Sequence, residues 1–163
     1  LIDQVVAFGA RSFSVVDGDA VVYDSGDDFE RITAHLATVA MTGLVFNASN
    51  TNNNAENRSD NKGPEPETVI VGEVDGVPYA FIGLERVGGI MVYDVRNPRL
   101  PRFVNYVNNR DFTRDPETET ALSGDLGPEG LLFIPAAISP NGQDLLVVGN
   151  EVSGSTTIYG VEL

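Results

Sequence analysis

Three short apolar bursts stand close together in the middle of the chain: Thr68–Val74, Tyr79–Glu85 and Gly89–Val95. Each is rich in Val, Ile, Tyr or Phe, and each has the length of a strand rather than a helix. Asp75-Gly76 separates the first two, and a residue pair that tolerates positive φ predicts a tight hairpin there. Arg86–Gly89 predicts a second turn. Beyond the turn Val95–Pro101, Arg102–Val107 predicts an outer fourth strand. The unit is a meander of antiparallel strands opened by a dense polar knot, Asp60–Glu67.

The pattern then recurs. Gly63-Pro64-Glu65 returns as Gly127-Pro128-Glu129, 64 residues on. Ala80–Glu85 is echoed by Leu145–Glu151, and Ile90–Val95 by Thr156–Val161, with Glu85–Glu151 and Tyr93–Tyr159 both 66 apart. In this second copy Leu131–Pro135 predicts the first strand, Ser139–Gly142 a turn and Thr156–Val161 the third strand, with no fourth. A partial copy opens the chain: Val6–Arg11, then Phe13–Asp17, with Asp17-Gly18-Asp19 turning Phe13–Val16 into Ala20–Tyr23.

Repeated small sheets predict an all-β chain of β-propeller blades, about two and a half of them, ahead of a β-sandwich. The expected organisation is one partial domain over 1–163: part of a blade at 1–24, a helix and polar loop at 25–62, a blade at 63–112 and another at 124–163. A closed ring takes about four to eight blades. We therefore expect a fragment whose remaining blades lie on another chain or segment, and a start at Leu1-Ile2-Asp3 agrees with that reading.

Periodicity changes at Asp24. Phe29, Ile32, Leu36 and Val39 fall near helical spacing behind Ser25 or Asp27 as N-cap, which predicts a short helix from about Asp28 to Ala40. His35 is expected on its exposed side, without a catalytic partner. Asn47–Asn61 holds seven asparagines in fifteen residues and no apolar pattern. It predicts a long polar loop, flexible at first and stiffened from Arg58 by Pro64 and Pro66. Asn47-Ala48-Ser49 and Asn57-Arg58-Ser59 match the glycosylation pattern.

Charge narrows the function classes. Ten basic residues face twenty-four acidic ones, for a net charge of −14. Such a surface repels nucleic acid and anionic membranes, and suits solubility or cation binding. No apolar run approaches membrane-spanning length. There is no cysteine, so thiolate chemistry and disulfides are excluded. The composition fits an exported protein.

The repeat places carboxylates at recurring positions: Glu65, Glu67 and Glu129 at strand starts, Glu85 and Glu151 at second turns, Asp60, Asp111 and Asp125 in the flanking knots. Carboxylates with amide oxygens are what Ca²⁺ takes, so these eight are the candidate metal ligands. Lys62, Arg86 and Arg110 are the candidate phosphate holders. The competing reading has the glutamates capping backbone amides at turns. No EF-hand spacing and no nucleophile–base pair is present.

Five blocks carry a resemblance: SDNKGPEPE at 59–67, YAFIGLERVGGIMVYDV at 79–95, FVNYVNNRDF at 103–112, GDLGPEGLLFIP at 124–135 and NEVSGSTTIY at 150–159. They resemble the C-terminal half of bacterial choice-of-anchor I proteins, which are related to alkaline-phosphatase-like and esterase-like-phytase proteins. The resemblance implies a β-propeller, export, and a surface or extracellular location, with the Asn-rich insert as a departure. Two functions follow as expectations. One is a Ca²⁺-dependent phosphoester hydrolase. The other is a non-catalytic surface or matrix protein, self-associating or bound to a matrix.

Overall fold

The computed structural model describes residues 11–39 and 43–163. The expected strand over Val6–Arg11 and the expected helix end at Ala40 therefore fall largely outside the described residues.

β1 (Ser14–Asp17) and β2 (Ala20–Asp24) form an antiparallel hairpin. The helix α1 (Asp28–Ala37) follows and stops three residues short of the expected end. Asp27 is its N-cap residue but makes no side-chain cap bond. Ser25 instead uses its Oγ to accept from the Phe13 amide at 3.0 Å, tying the helix start to the hairpin. Phe29 is fully buried, Ile32 and Leu36 pack beside it, and His35 is exposed as expected.

A four-stranded meander comes next: β3 (Pro66–Val74), β4 (Val77–Leu84), β5 (Ile90–Asp94) and β6 (Arg102–Val107), in that order across the sheet. Asp75 and Gly76 both have positive φ, +49° and +77°, which is the backbone a two-residue hairpin needs to match strand twist. The acidic stretch after β6 contains one 3₁₀ turn, Thr120–Leu122. A three-stranded meander of β7 (Pro128–Ile134), β8 (Leu145–Asn150) and β9 (Ser155–Gly160) closes the order. The chain is thus mostly β, in three antiparallel sheets with one short α-helix, and no sheet closes on itself among the described residues.

The four-stranded sheet is buried on both faces. Ala80, Ile82, Leu84, Met91 and Tyr93 point to one side, against Phe29 and the hairpin residue Phe13. Phe81, Ile90 and Val92 point to the other, against Leu146 and Val148 of the next sheet, and the Phe81 and Phe133 rings stack at 5.7 Å. This two-sided burial explains why β4 reads as a continuous apolar run rather than an alternation. The two sheets approach closely. A Cβ on Gly72 would meet the Phe133 ring at 2.5 Å, and one on Gly83 would lie 3.1 Å from the Pro128 carbonyl oxygen. The starts of β3 and β7 consequently lie at the same end of the stack.

The structural repeat differs from the sequence match at one point. Both first strands carry a bulge, at Glu67 between Pro66 and Thr68 and at Glu129 between Pro128 and Gly130. Glu129 is therefore the counterpart of Glu67. The counterpart of Glu65 is Gly127: the Glu85 amide donates to the Glu65 carbonyl, and the Glu151 amide to the Gly127 carbonyl, each at 2.8 Å. Alignment on the shared Gly-Pro-Glu letters is offset by two residues, because backbone pairing and not letter identity sets equivalence.

Candidate functional site

Position 65 sits where the polar loop enters β3. Its φ of +54° is rare for a residue with a Cβ, and its side chain turns inward and is buried. Arg86 donates from Nε to Glu65 Oε2, and Lys62 pairs with Glu65 Oε1. Glu85, at the end of β4, is 5% exposed and faces Glu65. Its Oε1 accepts from Asn50 Nδ2 at 3.0 Å and lies 3.1 Å from Arg86 Nη1. Its Oε2 is buried and receives no hydrogen bond from any donor among the described residues, the neighbouring Glu65 being a second carboxylate. Glu67 stands on the bulge, exposed, and its carboxylate comes within 4.8 Å of both others. Glu65, Glu67 and Glu85 thus converge.

The electrostatics separate the two buried acids. Burial, helped by the facing Glu65 carboxylate, pushes Glu85 up to about 7. Burial also pushes Glu65 upward, but bonds with Lys62, Glu85 and Arg86 outweigh it and hold this carboxylate below its usual range. One of the pair carries the charge and the other leans toward the neutral acid.

The polar loop builds one wall. Its first half, expected to be flexible, is instead buried over a continuous run, Asn47, Ala48, Ser49 and Asn50. Arg110 pins it. This guanidinium is 6% exposed and donates to Arg86 O (3.0 Å), Ser49 O (2.6 Å), Asn52 O (3.2 Å) and Asn53 Oδ1 (2.8 Å), and it lies 4.5 Å over the Phe112 ring. Burial lowers Arg110 to about 10. Arg11 pins the other half, donating to Ser59 O and Asn61 O and pairing with Glu30. Asn47 is buried and donates to Glu30 and Ser59, so the first glycosylation match is enclosed. Asn57, in the second, is exposed.

The family model of the choice-of-anchor I domain matches residues 1–98, more than half of the chain and all of the converging glutamates. The chain belongs to the choice-of-anchor I family. Gigasin-3a of Magallana gigas is 27% identical over 165 residues, covering 98% of this chain and 58% of Gigasin-3a. The mesenchyme-specific cell surface glycoprotein of Strongylocentrotus purpuratus is 27% identical over 103 residues, covering 57% of this chain and 13% of that protein. This choice-of-anchor I chain thus spans less than two thirds of the length of either relative. Both relatives are animal proteins, so they lend nothing to a bacterial origin. No solved structure matches the chain.

The remaining candidate ligands of the choice-of-anchor I chain stand apart from the trio. Asp60 is exposed in the loop. Asp111 accepts from the Thr113 amide and hydroxyl and pairs with Arg114 at 3.7 Å. Asp125 accepts from Ser155, Thr157 and Asn109 at 2.5–2.8 Å, a carboxylate already saturated. Glu129 and Glu151 are exposed and line a shallow recess with Gly130, Gly149 and Ser155. The sequence reading missed Asn50, which joins Glu85 to Arg86; the density of asparagines was the available signal, and only the fold shows which one turns inward.

Proposed function

We propose that this chain is part of an exported, extracellular or cell-surface protein, and that it acts as a non-catalytic interaction platform. One observation carries the reading. The cations that a phosphate site would need are spent inside the protein: Lys62 and Arg86 on Glu65, Arg110 on the carbonyls of the polar loop. The family, and the relative that is by name a cell surface glycoprotein, support the location. The stacked four- and three-stranded meanders support consecutive blades of a β-propeller. Leu132 and Ile158, 54% and 62% exposed on the outer face of the last sheet, support further blades from another segment or chain covering that face. Self-association or attachment to a matrix would use the same rigid body, without nucleic acid.

A second reading, a Ca²⁺-dependent phosphoester hydrolase of the alkaline-phosphatase or phytase type, is favoured by the convergence of Glu65, Glu67 and Glu85. A metal held there would supply a bound water as nucleophile. The full-length protein decides between the two. Hydrolysis of p-nitrophenyl phosphate and phytate is measured with added calcium and with chelator. We expect no chelator-sensitive turnover. Turnover that chelator removes and calcium restores, and that Glu85→Gln abolishes, would overturn the platform reading.

A further inference from the structure

We infer that Glu65, Glu67 and Glu85 form a single divalent-cation site, oriented by Arg86 and held shut by the Lys62 ammonium. A cluster of acids alone would not carry this. The decisive feature is how their oxygens are divided. Arg86 engages the outer oxygens, Glu65 Oε2 and Glu85 Oε1, and Asn50 adds a second bond to Glu85 Oε1. The inner oxygens are left. Glu85 Oε2 is buried without a donor among the described residues, and Glu65 Oε1 has Lys62. Partners that fix one oxygen of a carboxylate and leave the other available are what orient carboxylate ligands around a metal, and one oxygen of each of the three glutamates lies within 4.8 Å of the others.

Charge and composition choose the ligand class. With all three carboxylates ionised, as metal ligands must be, the Arg86 guanidinium leaves a deficit of two charges once Lys62 departs, which a divalent cation fills. The donors are all oxygens, one of them on an exposed bulge open to water, which suits calcium with its flexible, partly aquated coordination better than magnesium with its strict octahedron. Lys62 can leave. Its side chain is 30% exposed on a flexible stem, and an ammonium is well solvated when it swings out. The polar loop, pinned by Arg110, keeps Asn50 in place whichever cation is present.

A second comparison within the molecule points the same way. At the start of β7 the equivalent backbone positions hold Gly127, Glu151 and Val152, with Glu151 exposed. The fold makes this junction without a buried carboxylate, so the cluster at β3 is an addition to the scaffold and not a requirement of it.

The site stands independently of either reading of activity, and its readout is binding. The probe is calcium chloride, titrated calorimetrically into the full-length protein after dialysis against chelator, with melting temperature as a second readout. The parent takes up calcium. Glu67→Gln, an exposed change that leaves the fold alone, loses one site or binds there about tenfold more weakly, since affinity follows the charge of the ligand set. Glu129→Gln, its counterpart on the other bulge, leaves uptake unchanged. Lys62→Gln removes the competing cation and tightens binding at least about threefold, an effect that a purely structural ion pair would not produce. A parent that takes up no more calcium than Glu67→Gln overturns the site. Binding in Lys62→Gln that is unchanged or weaker overturns the displacement by which the site opens.

Discussion

Where β3 begins, the Glu85 amide donates to the Glu65 carbonyl and the Arg86 amide to the Pro64 carbonyl; where β7 begins, the Glu151 amide donates to Gly127 and the Val152 amide to Leu126. The backbones match, down to positive φ at 65 and at 127 and a Pro-Glu bulge two residues later. The side chains do not. The first junction buries two carboxylates with an arginine across them. The second buries Leu126 and sets Val152 against Gly127, whose Cβ, if it had one, would lie 2.9 Å from Val152 Cγ2. A strained left-handed position is met by glycine in one copy and by glutamate in the other. A residue with a Cβ in that region costs about 1–2 kcal/mol relative to glycine, so the glutamate is retained against a cost. Buried ion clusters seldom improve stability over apolar packing. The difference teaches that one backbone junction can be filled either by a buried charge cluster or by apolar packing, and that the fold itself requires only the second.

The largest effect should come from removing the brace that only the first junction has. Arg110→Ala leaves three carbonyls and the Asn53 amide oxygen facing a void and takes a guanidinium off the Phe112 ring. We expect a loss of roughly 3–5 kcal/mol, read as a fall in the urea midpoint at unchanged slope. Arg110→Lys should recover less than half, because an ammonium cannot reproduce a planar fork reaching four acceptors. A full recovery by lysine would mean that charge alone holds the loop.

Much of this contrast is legible in the sequence, and the part that is not has a physical reason. Strand bursts, the Asp75-Gly76 turn and the helix register are local signals, and they place β3 to β6 and α1 to within a few residues. Tyr93 pairs with Ala80 and Tyr159 with Leu146, as the 66-residue spacing requires. The 64-residue Gly-Pro-Glu match misleads because it fits neither structural spacing: Pro66 corresponds to Pro128, 62 residues on, and Glu85 to Glu151, 66 on, the extra residues lying in the longer connection between Ile134 and Leu145. The polar loop is ordered for a reason that its sequence does not display. Asparagine is usually exposed, and its burial here depends on Glu30 and Ser59 accepting from Asn47 and on Glu85 and Arg86 meeting Asn50. Such contacts leave no periodicity to read.

An intermediate effect should follow from converting the first junction toward the second, measured with chelator present. Arg86→Val alone leaves Glu65 and Glu85 facing each other without a bridging cation, and should cost about 3 kcal/mol. Adding Glu65→Gly removes one buried charge, relieves the positive φ and reproduces the residues found at 127 and 152. The double variant should regain more than half of the loss, so that the cycle shows strong coupling between the two positions. Additive losses would mean that Glu65 and Arg86 do not stabilise each other, and that their ion pair is not what sets the first junction apart from the second.

The smallest effect concerns the carboxylate that the second repeat does bury in part. Burial pushes Asp125 upward, but hydrogen bonds from Thr157, Ser155, Asn109 and Tyr159 more than offset this and hold it below the usual aspartate range. A folded-state value below the unfolded value of 3.8 contributes stability that is present above that pH and is lost as pH falls through the folded value. Asp125→Asn keeps the shape and one acceptor oxygen but cannot carry the charge, so it should cost roughly 1 kcal/mol at neutral pH, a figure reduced for partial exposure. The gap between parent and variant should close as the solution is acidified below pH 3.8, because the parent then loses the same charge. Salt separates this site from the first junction. The partners of Asp125 are neutral hydroxyls and an amide, so the gap at neutral pH should persist in about 1 M salt, where the Debye length is near 3 Å. The partly exposed Lys62–Glu65 pair should weaken under the same conditions. A gap that disappears in salt would show that Asp125, like Glu65, depends on charged partners, and the contrast between the two junctions would then lie in burial alone.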